Sequence, residues 1–315
     1  MSHLAFRFTP FVSFNMSLTL ESTVIIDTFA EAFKMWGTRL IITADSAHWA
    51  MIAAQSITGF ATSIIGCKCE VGIECELSPD VTPDGRPGVS VLLFTVKSDD
   101  MGKRLLERVG QCILTCPTTA CYNGLTIEQG AQEMIDVGGQ LRYFGDGFQI
   151  SKVLGDRRFW RLPVMDGEFL VEELFGAKRA VGGGNLLILG RATADTLRAT
   201  EAAVAAMREV RGVIMPFPGG IVRSGSKVGS KYKTLFASTN DAYCPTLRGF
   251  SPNTQLPAEV GCVLEIVING LDLSAVEEAT RQGMRAAAQS GALYITAGNY
   301  GGKLGQFHIH LHKLL

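Results

Sequence analysis

The chain has 315 residues and a mass of 33.9 kDa, which suits one large domain or two ordinary ones. Apolar residues make up 47% and charged residues 19%, so wholesale disorder is excluded. Lys and Arg number 29 against 30 Asp and Glu, a net charge of −1; no basic excess points to nucleic acid, and no acidic tail to a basic partner.

Residues 1–20 faintly resemble a signal peptide, but Arg7 and Pro10 interrupt the apolar stretch and no small-residue cleavage site follows. They read as an N-terminal extension, either a loose tail or sequence ahead of a start at Met16. No apolar run approaches the roughly 18–20 residues needed to span a bilayer, so no membrane partner is expected.

In the N-terminal half, residues 39–43 read as a strand, and Asp45-Ser46 can cap a helix through Ile57 that Gly59 ends. Residues 88–96 read as a second strand. Ser98 then caps a helix carrying Leu105, Val109, Cys112, Ile113 and Cys116, which Pro117 stops. The eight cysteines leave two readings. Cys67, Cys69 and Cys75 could hold a metal, although no second pair has the usual zinc spacing; alternatively all eight are reduced thiols used as small hydrophobes, which implies a cytoplasmic setting.

The C-terminal half repeats a unit of strand, helix, glycine and strand. The first copy is NLLILG at 185–190, a helix with Leu197, Val204, Met207 and Val210 on one face, then Gly212 and VIMPFP. The second is CVLEIVING at 262–270, a helix with Val276, Ala279, Gly283, Met284 and Ala287 on one face, then Gly291 and ALYITAGNY. Ser274 and Glu277 read as a capping box, and Gly212 and Gly291 as left-handed stops. Two such units make one split βαβ sandwich. The predicted fold class is therefore α+β: two ferredoxin-like lobes, 21–163 and 164–315, each an antiparallel sheet with helices on one face.

The segment from 225 to 253 has no clear periodicity, and a long irregular stretch in a compact domain is more often functional than idle. Gly220 to Lys227 is one swap from a phosphate-binding loop, but Ser226 precedes Lys227 where the motif needs the reverse. GGGN at 182–185 precedes a strand, not a helix, so it is no dinucleotide fingerprint. Ser56, Ser226 and Ser238 lack a nucleophile-elbow context. His308, His310 and His312 would share one face of a strand, as a polar face or a zinc pair. Arg223, Lys227, Lys231 and Lys233 are either solvated charge or an anchor for a ligand phosphate or carboxylate. Phe217, Tyr232, Tyr243 and Tyr300 flank Gly-rich turns, where they could stack on a flat heterocycle or fill the lobe junction.

Glu265 is the chief candidate for chemistry. In CVLEIVIN its side chain shares a face with Val263, Val267 and Asn269. A carboxylate in the centre of an apolar strand is desolvated, which raises its pKa, unless that face is open to solvent. Held neutral, it can give a proton or a hydrogen bond to a developing oxyanion.

Several blocks are similar to one family in wording and order: DTFAEAF at 27–33, TPDGRPG at 82–88, FGDGF at 144–148, PFPGGIV at 216–222, SKVGSKY at 226–232, ASTNDAYCPT at 237–246, EIVINGL at 265–271 and AGNYGGKLGQ at 297–306. From about Asp27 to the C-terminus the chain resembles formylmethanofuran–tetrahydromethanopterin formyltransferase. The resemblance implies formyl transfer between the amine of methanofuran and N5 of tetrahydromethanopterin, both as substrates, with no metal and no prosthetic group. It implies a proximal lobe at 21–163, a distal lobe at 164–315 and a homotetramer. It places the key carboxylate at Glu265 and the substrate cleft at a subunit interface. The matching loops carry Phe217, Pro218, Gly219, Gly220, Ser226, Lys227, Ser230, Ser238, Thr239, Asn240, Asp241 and Tyr243. The near-neutral charge departs from the acidic archaeal members and favours a methylotrophic bacterium, where a relative is one subunit of a formyltransferase/hydrolase complex; hydrolase subunits are then expected partners. The competing reading is a non-catalytic ligand-binding or scaffold subunit that keeps the fold.

Overall fold

The computed structural model describes residues 18–315, so all but the last three residues of the N-terminal extension lie outside it. A hairpin of β1 (Leu18–Leu20) and β2 (Thr23–Ile25) leads into the long β3 (Phe29–Thr43). Then come α1 (Ala47–Gly59), the one-turn α2 (Ile64–Cys67), β4 (Glu70–Leu77), β5 (Gly88–Thr95), α3 (Ser98–Arg108) with a π-helical turn over Val109–Ile113, and β6 (Ala120–Asn123). β7 (Glu133–Asp136), α4 (Gly138–Leu141) and a meander of β8 (Ile150–Leu154), β9 (Arg157–Val164) and β10 (Gly167–Glu172) connect to β11 (Leu174–Gly190). The rest is α5 (Thr193–Arg208), β12 (Val213–Ile214), a hairpin of β13 (Ser226–Val228) and β14 (Ala237–Thr239), β15 (Cys262–Gly270), α6 (Leu273–Gln289), β16 (Tyr294–Thr296) and β17 (Phe307–His310).

Two quartets of strands carry the fold. One has the antiparallel order β6-β3-β5-β4, the other β16-β11-β15-β12. Each is the strand order of a split βαβ unit. β3 and β11 also pair with each other, Phe33–Thr38 against Ala177–Gly182, so the two quartets merge into one large sheet. In the second quartet Leu186, Ile188, Ile266 and Ile268 face α5 and α6, where they meet Ala203, Met207, Val276 and Met284. Fully burying such a side chain contributes roughly 1.5–3 kcal/mol.

The boundary between 163 and 164 is not where the cores divide. Ile25, Ala30 and Ala32 belong to the core of the C-terminal quartet, while Phe169, Val171 and Phe175 belong to that of the N-terminal one. The physical reason is the length of β3 and β11. Each runs through both quartets and carries one of its ends into the other's core. β11 makes the change at a bulge: its register to β15 slips between Val181 and Gly184, and Gly183 takes φ 77°, which favours glycine. That is the structural use of the GGGN motif.

Several local expectations change. Lys97 and Asp272 hold the N-cap positions, with Ser98 and Ser274 already inside their helices and no side-chain cap bond at either end. Ser46 does cap α1, accepting from the Trp49 N–H. On α5 the buried face is Thr196, Ala199, Thr200, Ala203, Val204 and Met207, and Leu197 is exposed. β17 ends at His310, so His312 leaves the row and turns to the Ile25 carbonyl at 2.8 Å, while His308 and His310 pack on Phe29. Among the described residues no helix is long and apolar enough to cross a membrane.

Candidate functional site

The site lies on the face of the C-terminal quartet turned away from α5 and α6. Paired residues in an antiparallel sheet share a face, so the registers fix its rows. Val263, Leu189 and Tyr294 form one row across three strands; Glu265, Leu187 and Thr296 form the next; Val267 and Asn185 begin a third. The alternation that singled out Glu265 therefore holds, and the face is not bare. The segment 216–261 folds over it, with Leu256, Val260 and Tyr243 packing on Leu187, Leu189, Val263 and Tyr294. On the outer edge of β15, Val222 exchanges backbone hydrogen bonds with Glu265 at 2.7 and 2.9 Å. The PFPGGIV block is thereby tied to β15 at Glu265.

The Glu265 carboxylate accepts one hydrogen bond, from Asn185 Nδ2 at 2.8 Å. Asn185 stands at the diagonal cross-strand position, within reach of a long side chain. Burial pushes the Glu265 carboxyl up, and the Asn185 amide offsets only part of that. The oxygen of the Asn185 amide accepts from the Gly298 N–H at 2.9 Å. Tyr300 follows on the same loop; its phenol is pushed up first by burial, then by the nearby charges of Glu265 and Glu31.

Glu31 and Asn185 were not singled out in the sequence. Glu31 is buried, and its carboxylate accepts from the backbone N–H groups of Tyr300, Gly302, Leu304 and Gly305. Asn299 reaches Thr28 and Phe29, and Gln306 accepts from the Lys34 N–H, which lace the same loop to β3. A signal for Glu31 was available: FAEAF sets a carboxylate among apolar neighbours just as CVLEIVIN does. These four N–H groups are committed to Glu31 and that of Gly301 to Asn299 Oδ1, so they are not free to serve an oxyanion.

The remaining candidates divide into two groups. Phe217, Pro218 and Gly219 line a cleft of about 900 Å³ between α1, β4 and the end of α5, together with Arg208, Arg211 and Glu74; Glu265 is not in its wall. Gly220 is buried against Val204. Ser226, Lys227, Ser238 and Thr239 lie on the β13–β14 hairpin, with Ser226 opposite Thr239 and Lys227 opposite Ser238. Their polar groups serve the hairpin itself. Lys227 pairs with Asp241, which also accepts from Ser251 at 2.6 Å; Ser238 donates to the Gly229 carbonyl; Ser230 accepts from the Tyr232 N–H. Asn240 donates its N–H to the Gly225 carbonyl. Tyr243 alone of this group packs against the Glu265 face, with its hydroxyl 2.6 Å from Gln255 Oε1. The segment from Gly220 to Lys227 runs into β13 and not into a helix, which removes the phosphate-loop reading. Among the described residues no cluster of three or more His, Cys, Asp or Glu side chains is placed to hold a metal.

Comparison with known proteins follows this architecture end to end. The family model described as formylmethanofuran-tetrahydromethanopterin formyltransferase matches residues 18–164, and the model for the proximal lobe of that formyltransferase matches 167–314. The name proximal thus falls on the C-terminal half, the reverse of the labels that the sequence resemblance implied. The formylmethanofuran–tetrahydromethanopterin formyltransferase of Methylobacillus flagellatus is 55% identical over 304 residues, covering 95% of this chain and 100% of that protein. A chain in the crystal structure of the formyltransferase/hydrolase complex from Methylorubrum extorquens, in complex with methylofuran, superposes with a TM-score of 0.91 at 55% identity, over 95% of this chain and 99% of that one. The formyltransferase from Methanosarcina barkeri superposes with a TM-score of 0.89 at 46% identity, over 95% and 100% of the two chains. With both halves matched in order and nearly at full length, the chain belongs to the formylmethanofuran–tetrahydromethanopterin formyltransferase family.

Proposed function

We propose that the chain transfers a formyl group between formylmethanofuran and N5 of tetrahydromethanopterin in a ternary complex, with Glu265 as the acid at the reacting carbon. The N5 amine attacks the formyl carbon, and the carbonyl oxygen takes up the electron pair. An uncharged Glu265 donates a hydrogen bond to that oxyanion. Collapse of the intermediate breaks the bond to the methanofuran nitrogen, which takes the proton of Glu265, and the proton that N5 releases restores the acid. Atoms, electrons and protons balance on the two carriers and Glu265, so the reaction as written calls on no prosthetic group. Exchange of one amide-like bond for another leaves positioning to supply much of the rate.

The observation that carries this reading is the state of Glu265: mid-strand and half-buried beside the apolar patch that segment 216–261 covers, accepting a single hydrogen bond, with its carboxyl raised by burial. Glu265→Gln is the test. The amide oxygen can still face Asn185 and leave an N–H toward the substrates, so the variant keeps the fold but cannot give up a proton. Turnover is expected to fall about 10²-fold or more. Transfer at the parent rate overturns the assignment. Absence of transfer by the parent chain, supplied with both carriers, favours the scaffold reading.

The same proposal takes the chain to be cytoplasmic and homotetrameric, with Phe217, Pro218, Gly219, Gly220 and the 226–243 loop completing the substrate cleft at a subunit contact. Tyr232, Phe236 and Phe250 project into solvent from segment 216–261, an apolar surface that suits burial against another subunit. Hydrolase subunits as partners rest on the Methylorubrum extorquens relative, whose structure is that of a formyltransferase/hydrolase complex.

A further inference from the structure

We propose that Asn185 is a positioning residue that decides which oxygen of Glu265 carries the proton. The inference rests on the reading of Glu265 as the acid, and it adds a residue to that reading.

The amide of Asn185 cannot turn over freely. Its oxygen accepts from the Gly298 N–H at 2.9 Å, and a flip would set an NH₂ group against that donor. Its nitrogen therefore faces Glu265 and donates to Oε1 at 2.8 Å. A neutral carboxyl has one oxygen that only accepts and one that carries hydrogen. The carbonyl oxygen is the stronger acceptor, so a fixed N–H donor favours Oε1 as the one that only accepts. The proton then sits on Oε2, which accepts no hydrogen bond among the described residues and is left to point at substrate. Gly298 begins the loop that Glu31 clamps, and Glu31 itself donates its backbone N–H to the Gly298 carbonyl. The orientation of the amide is thus built into the backbone.

The surroundings support this sorting role. Leu187 faces Glu265 from β11 and Val222 from segment 216–261. From loop 298–306 the titratable neighbour is Tyr300, with Glu31 behind it. Tyr243 stands beside Thr296 at the far end of the row. Asn185 is the group that hydrogen-bonds the carboxyl, so its removal changes both the placement of the proton and the strength with which it is held.

Two substitutions test this, each assayed with both one-carbon carriers from pH 5 to 10. Asn185→Leu removes a donor that favours the carboxylate; the neutral form persists to higher pH, so the alkaline limb of kcat moves up, while kcat falls about 10-fold with KM within a factor of two. Asn185→Asp puts an acceptor opposite Oε1 and draws the proton to the wrong oxygen. The acid is still held, but it is misdirected; kcat falls about 10²-fold, and the alkaline limb again moves up. A merely structural asparagine would lower both parameters or neither and leave the limb in place. Should Asn185→Asp fail to fold, Asn185→Ser, small and uncharged, carries the same expectation as Asn185→Leu. Glu265→Gln is run in parallel. If it is slow while the Asn185 variants keep the parent rate and limb, the role of Asn185 is overturned and that of Glu265 stands. If Glu265→Gln itself keeps the parent rate, the acid assignment fails first.

Discussion

Glu31 and Glu265 are both carboxyls flanked by apolar residues of a strand, and the loop 298–306 lies against both. Their charge states nonetheless part. At Glu31, only 2% exposed, burial opposes ionisation, but four backbone N–H groups outweigh it and hold the carboxyl below its usual range. At Glu265, one side-chain amide is too little against burial, and the carboxyl rises. The donors differ, four backbone N–H groups against one side-chain amide. The loop arranges this with two consecutive glycines in the left-handed region, Gly301 at φ 68° and Gly302 at φ 74°, around which the Tyr300 and Gly302 N–H groups turn inward to Glu31 while that of Gly301 goes to Asn299 Oδ1. The Gly298 N–H goes to Asn185, so Glu265 receives its single donor second-hand. One segment keeps one acid charged and leaves its neighbour free to be neutral.

The largest effect on stability belongs to Glu31. Glu31→Gln removes the charge and sets an NH₂ group among four N–H donors, and it should cost about 3 kcal/mol in urea unfolding. Glu265→Gln, with one accepted bond to preserve, should stay within about 1 kcal/mol at neutral pH. Equal losses at the two sites would erase the distinction between them.

The pH dependence sharpens it further, with opposite signs. The folded-state pKa of Glu31 is depressed. Its contribution is present above the unfolded value of about 4.3 and is lost as pH falls through the folded one. The folded-state pKa of Glu265 is raised, so its contribution is present below the unfolded value and is lost as pH rises through the folded one. In stability profiles from pH 3 to 9, Glu31→Gln should flatten the side below the ordinary carboxylate value and Glu265→Gln the side above it. The same side flattened by both variants would break the comparison.

The parts of this site that could be read from the chain were those carried by local periodicity. Glu265, the two helices and the glycine stops follow from repeats of 2 and 3.6 residues within one segment. What escaped depends on partners far away in the chain. The donors to Glu31 lie some 270 positions on, and Asn185 meets Glu265 across 80. The extent of β3 and β11 escaped too: Lys34, Lys178 and Arg179 interrupt their apolar pattern where the two strands pair across the junction. The lobe boundary, drawn where spacing suggested, could not show two strands exchanging ends. Nor could the polar side chains of 226–243 be seen to satisfy one another, because that needs the hairpin register.

The smallest effect is expected at a carboxylate of the opposite kind. Asp241 is paired at the hairpin surface with Lys227, whose ammonium hydrogen-bonds it and lowers its pKa to about 2, with Ser251 as the second donor. Lys227→Met should leave unfolding unchanged within error, because a cation exposed to water contributes little to stability. The titration of Asp241, followed by carboxyl carbon NMR, should nevertheless move up toward the ordinary value of about 3.9. An Asp241 that still titrates near 2 would assign the shift to the Ser251 hydroxyl and its own backbone. Donors alone would then set charge at the surface as they do at Glu31, and the exposed cation would be incidental there.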